Sequence, residues 1–235
     1  MNLYPNNTLA NFAVNLSPPL ELSGDWVVAL SEIQYPHTWN NVRMRHNVFY
    51  IQRGEKGFPE RYPIPVGYYK SIQQILKTMM DAVESSTKKD LILTYNSITR
   101  HVTIEVKNNL QILLWDRLAP LLGFDNGAAI KKKTESPRVA NLAGGFHSLY
   151  VYIDVVEAQA VGDTRVPLLR IVNIEGKDGD TITKTFQSPF YLPVSRKYIE
   201  RINCNIKDDT NQLVPFESGK LIVTLHFKRS KPFYL

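Results

Sequence analysis

A single cysteine, Cys204, is all that the 235 residues hold. No intrachain disulfide can form, and the chain is read as one that folds in a reducing cytosol or nucleus. Long apolar runs are also missing. The longest stretches, such as Leu149–Val156 and Leu221–Phe227, fall far short of the ~20 residues that a spanning helix needs, so no membrane span is expected. Met1–Leu9 lacks a basic region followed by an apolar core, and Asn and Pro interrupt it, so secretion by a signal peptide is not expected either.

Catalytic signatures are equally scarce. The histidines His37, His46, His101, His147 and His226 are scattered and form no H-x-H, H-E-x-x-H or C-x-x-C set, which leaves no local metal motif. The sequence has no G-x-S-x-G, P-loop or G-x-G-x-x-G pattern, so nucleophile-elbow and nucleotide-binding readings lack support. No catalytic, cofactor-binding or metal-ligating residue is assigned, no cofactor is expected, and the chain is read as a non-enzyme. Asp154 and Glu157 are close enough to pair as carboxylates, but solvated or salt-bridged side chains are the favoured reading.

The composition, 43% hydrophobic and 21% charged, suits a packed globular protein, and one core over the whole length is the expectation for an all-β sandwich of this size. Short alternating segments bounded by Pro, Gly, Asn or Asp dominate and read as strands. Phe12, Val14 and Leu16 alternate with polar or small residues until Ser17-Pro18-Pro19 stops the strand. Trp26–Ile33 is nearly continuously apolar, as in a strand buried on both faces. Val42–Gln52 contains a further strand. Leu91–Tyr95 and His101–Val106 form a hairpin around Asn96-Ser97. Leu149–Val156, Leu168–Ile174, Thr181–Phe186, Tyr198–Lys207 and Leu221–Phe227 complete the series, for eight to ten strands in all. Cys204 shares the inward phase with Ile202 and Ile206, and His226 lies opposite the apolar phase of its strand.

Helical spacing of Ile72, Ile75, Leu76, Met79, Met80 and Val83 predicts a helix over Tyr69–Val83 with Ser71 as its cap. A second helical turn is expected over Trp115–Leu122, ending at Gly123. Asp125–Gly145 is rich in Gly, Lys, Ser and Asn and is expected to be a flexible loop. The fold class that follows is an all-β antiparallel sandwich, a single jelly roll with one or two short helices in its connections.

The net charge of +6 and the pI near 9.3 are compatible with an acidic partner. The basic runs are short: Lys88-Lys89, Lys131-Lys132-Lys133 and Lys228-Arg229-Ser230-Lys231. Three aromatic and proline-rich segments stand out: Tyr35–Asn41, Tyr62–Tyr69 and Ser188–Pro193. They read equally as interface loops or as core lids. A carbohydrate- or ligand-binding jelly roll, with these aromatics stacking on sugars, is the alternative function. A sandwich enzyme with a dispersed site ranks below it.

Several segments together carry a resemblance: Asn11–Leu16, Pro19–Pro36 with Trp39-Asn40-Asn41, Leu121–Phe124, Leu149–Tyr152 running to Val161-Gly162-Asp163, and Val214–Gly219 leading into Val223–Phe227. In order and combination they resemble the minor capsid, or penton, proteins of Polinton/Maverick elements and adintoviruses. The resemblance implies a single jelly-roll capsid domain over 1–235 and a homopentamer at the fivefold vertices of an icosahedral capsid. It also implies contact with a double-jelly-roll major capsid protein, and residence in the virion after synthesis in the host cytoplasm or nucleus. The basic segments are then candidates for weak contact with packaged DNA. Met1–Ala10 is expected to be a flexible arm that orders against neighbouring capsid proteins.

Overall fold

The computed structural model describes residues 6–143 and 146–230. It is an almost wholly antiparallel β structure with three short helices, which bears out the expected fold class. The chain divides into two compact units: unit 1 comprises 1–39 with 146–235, and unit 2 comprises 40–145. Each unit has its own core cluster, whereas the sequence reading expected one. The physical reason is that every strand between residues 40 and 145 finds its partner inside that segment.

Unit 1 begins with β1 (Asn11–Glu21) and β2 (Trp26–Pro36). The proline pair does not end β1 as expected. It breaks the pairing register between Asn15 and Leu20, after which the ladder resumes. In β2 a register shift leaves Ser31 unopposed between the pairs Leu225↔Leu30 and Thr224↔Glu32. This bulge switches the inward phase from Val28 and Leu30 to Ile33 and Tyr35, all fully buried. That switch accounts for the continuous apolar run.

Unit 2 follows with β3 (Val48–Arg53), β4 (Glu60–Pro63), α1 (Ile72–Ala82), α2 (Ser85–Lys88), β5 (Leu91–Tyr95), β6 (Val102–Val106), β7 (Leu110–Leu114), α3 (Leu118–Leu121), β8 (Ala128–Ile130) and β9 (Thr134–Glu135). They form two sheets, β4-β3-β7-β8 and β5-β6-β9. The Ser71 hydroxyl accepts the Gln74 N–H at 3.1 Å and caps α1 as predicted, and α1 buries Ile72, Ile75, Leu76 and Met79. The β5–β6 hairpin has the expected register, Leu91↔Val106 to Tyr95↔Val102. Gly123 follows α3 at φ +82°, and a Cβ there would lie 2.1 Å from the Arg138 carbonyl oxygen, so only glycine fits. The segment 125–145, expected as a flexible loop, contributes β8 and β9 and buries Ser136 and Ala140; Gly144 and Gly145 lie outside the described residues. The helix α2 was not anticipated.

The chain re-enters unit 1 with β10 (Ser148–Ile153), β11 (Gln159–Val161), β12 (Thr164–Val166), β13 (Leu168–Asn173), β14 (Thr181–Thr185), β15 (Leu192–Pro193), β16 (Tyr198–Lys207) and β17 (Ile222–Arg229). One sheet has the order β1-β16-β10-β13. In the other, β2 lies at the centre with β17 on one side and β14 and β15 on the opposite side. The pairs nest: β10 with β13, then β2 with β14, then β1 with β16, each successive pair falling in the other sheet. This is the wound pairing of a jelly roll. The strand count exceeds the expected eight to ten because unit 2 has its own sheets and several strands have only two or three residues.

The amino-terminal stretch is not a free arm where it is described. The Asn7 side chain donates to the Ala13 carbonyl and accepts from the Ala13 N–H, both at 3.0 Å. Ala10 is buried and its carbonyl accepts the Ile206 N–H at 2.7 Å. Residues 1–5 lie outside the described residues.

Candidate functional site

The groups most able to do chemistry are dispersed or occupied. Cys204 is buried, and desolvation, with the nearby Asp154 charge adding to it, pushes its thiol up to about 12. The Asp154 carboxylate accepts the Asn203 N–H at 2.9 Å and the Asn203 amide at 2.7 Å, and pairs with Arg196 at 2.9 Å. It therefore clasps β16 to the end of β10, which is the structural role favoured for it, while the Glu157 N–H donates to the Pro193 carbonyl.

The histidines stay apart. His37 stacks on Trp39 at 4.1 Å, and Nδ1 of His101 lies 2.7 Å from the Ser136 carbonyl. His46 sits 3.8 Å from Asp116, and the His147 N–H donates to Asp209. Among the described residues no three His, Cys, Asp or Glu side chains converge in a way that would hold a metal ion. In the same residues no helix is long and apolar enough to cross a membrane.

The aromatic segments are mainly lids. Tyr35 is fully buried and its hydroxyl accepts the Glu175 N–H at 2.9 Å. Trp39 is buried edge-on against Phe146 at 5.0 Å and Phe216 at 5.8 Å. Gly219 makes this packing possible: at φ +106° it approaches Pro36 so closely that a Cβ would lie 2.6 Å from the proline Cβ. In unit 2 Tyr62 stacks on Phe49 and the Tyr69 hydroxyl donates to the Pro65 carbonyl. These rings are packed into cores and are not presented for stacking on a sugar.

The surface with the most unsatisfied character lies along β17. On the outer face of its sheet, Tyr191 lies beside His226, with its hydroxyl 2.6 Å from Nδ1, and beneath the Lys228 ammonium, 3.5 Å from the ring centroid. His226 pairs with Ala29 across the ladder, so this cluster covers Ala29, which is fully buried although it points outward. Arg229 lies 5.9 Å from the Trp26 ring centroid and donates to the Ser23 hydroxyl. The described part of the basic tail is thus engaged with aromatics of its own sheet; Lys231 lies outside the described residues. A cleft of about 330 Å³ nearby is lined by Trp26, Val27 and Pro193 together with Arg196, Lys197 and Glu157. Opposite charges balance in it.

The inward side of this edge is incompletely covered. Val223, Leu225 and Phe227 pair with Ile33, Leu30 and Val28 and share their inward face, yet each stays half-buried. Across the sandwich, Phe12 and Val14 pair with Cys204 and Ile202 and also point inward. Val14 nevertheless remains 45% exposed, and Phe12 and Leu16 are only partly buried against the same core cluster. Alternation in the sequence identifies these positions as core-facing, but which strand covers them depends on long-range pairing, for which the sequence carries no local signal.

No known protein family matches the sequence, and no curated protein does. Among solved structures, the selenomethionine-labelled mavirus penton protein is similar in fold, with a TM-score of 0.50 and 11% identity over 93% of this chain and 90% of that one.

Proposed function

We propose that the chain is a minor capsid, penton-type protein that forms homopentamers at the fivefold vertices of an icosahedral DNA-virus or Polinton-like capsid. The observation that carries this reading is the wound two-sheet pairing of unit 1, in a fold that resembles a penton protein over nearly the full length of both chains. The dispersal of titratable groups and the packing of the aromatic segments into cores favour a structural role over a catalytic or glycan-binding one. Function on this reading is symmetric assembly: one surface of each subunit meets a different surface of the next, and the rotation closes the ring. The further partners are a double-jelly-roll major capsid protein and, through the exposed lysines 131–133, packaged DNA, which places the mature protein in the virion. Light scattering on the purified chain tests the reading. A species of five times the 26.9 kDa chain mass, with fivefold rings in negative stain, is expected. A strict monomer, both alone and with the major capsid protein, would overturn it.

A further inference from the structure

The nesting of strand pairs in unit 1 leaves one position empty. In the sheet β1-β16-β10-β13, the second pair outward, β1 with β16, docks through β16 onto β10. By the same rule the other sheet should have an outermost pair docked through β17 onto β2. β17 is present there, but among the described residues it pairs with β2 alone. Its partner is missing, so the outer edge of an eight-residue strand keeps unpaired backbone groups. The vacancy explains why inward-facing Val14 is exposed and why Val223, Leu225 and Phe227 are half-covered: the strand that would close this side of the sandwich is absent from the chain's own pairing.

The stretch leading into β1 is directed elsewhere. A turn in which the Thr8 N–H donates to the Asn11 carbonyl at 2.8 Å folds Asn7 back onto Ala13 along β1's own free edge. That edge belongs to the opposite sheet from β17.

We propose that the slot between β1 and β17 receives an extended segment from a second copy of the chain, which completes the β17-β2-β14 sheet by strand addition. The incoming segment bonds its backbone to the outer edge of β17 and sets alternate apolar side chains on Phe12, Val14 and Leu16. The proposal rests on the self-assembling reading above and specifies its contact. Because the edge of β17 meets a different segment of the next copy, the contact is heterologous and suits ring closure.

Two variants of the full chain test it. Val14 is already solvent-exposed, so Val14→Asp is compatible with the isolated fold while placing a charge in the slot. By light scattering over a dilution series, the wild-type chain is expected to assemble and Val14→Asp to dissociate at a concentration at least tenfold higher, with an unchanged circular dichroism spectrum. In Val14→Cys the introduced thiol is expected to react freely in the dissociated chain and at least tenfold more slowly in the assembly, while buried Cys204 stays silent. If the wild type assembles and neither the dissociation point nor thiol protection responds, the slot is not the contact and the capsid reading stands. A wild-type chain that remains monomeric at every concentration overturns the proposal together with the self-assembly on which it rests.

Discussion

Cys204 offers a direct probe of the packing in unit 1. Its thiol has an ordinary value of 9.0 and is held near 12 in the fold, chiefly by desolvation. At pH 8 the thiolate population falls from about one in ten to about one in ten thousand, so ionisation alone slows attack on a disulfide reagent by ~10³. Burial at 2% exposure adds a steric barrier. The native chain is therefore expected to show no fast thiol at pH 8 and one per chain after denaturation, with labelling in intermediate denaturant following global unfolding. The same shift sets an alkaline limit. Because the folded-state value is raised, the contribution of the neutral thiol is fully present below about pH 9 and is lost as pH rises towards 12, at up to ~1.4 kcal/mol per pH unit, or about 4 kcal/mol in all. Urea midpoints measured from pH 8 to 11 should fall accordingly. Stoichiometric labelling of the native protein within minutes at pH 8, at the rate of a free thiol, would refute the inward placement of β16.

Ser71→Ala removes the α1 cap and is expected to cost about 1 kcal/mol, read as a lower denaturant midpoint for unit 2, with Ser71→Asp restoring most of the loss. Gly219→Ala forces a Cβ against Pro36 at a positive φ and is expected to destabilise unit 1 by about 1–3 kcal/mol; an unchanged melting temperature would refute the tight approach beneath the Trp39 lid.

The legible parts of the fold are those whose information is local. The α1 helix could be read because its apolar spacing and the Ser71 cap lie within one short window, and the β5–β6 hairpin because Asn96 accepts the N–H groups of Ile98 and Thr99 in the turn. Cys204 and His226 fell on the expected faces by simple alternation. What escaped depends on distant partners. Pro18 and Pro19 do lack ladder donors, yet β1 continues past them because β16 resumes pairing at Leu20. The Ser31 bulge is defined by β17, nearly two hundred residues away, and β8 and β9 are too short to leave a periodic pattern. The open side of the sandwich was hidden for the same reason: Val14 has the sequence phase of a core residue, and its exposure follows from a neighbour that unit 1 does not supply.

The route of the chain at Trp39 and Phe146 has a consequence for how such a protein can vary. The last ring of unit 1 before the excursion and the first ring after it touch edge to face, so the sandwich holds both ends of a segment of over a hundred residues as it would hold the ends of a short surface loop. The entropy of closing that connection grows only slowly with its length. Residues 40–145 can thus be lengthened, shortened or exchanged at little cost to the host sandwich, provided that the aromatic clasp is kept. Diversification and architecture are in this way assigned to separate stretches of one polypeptide.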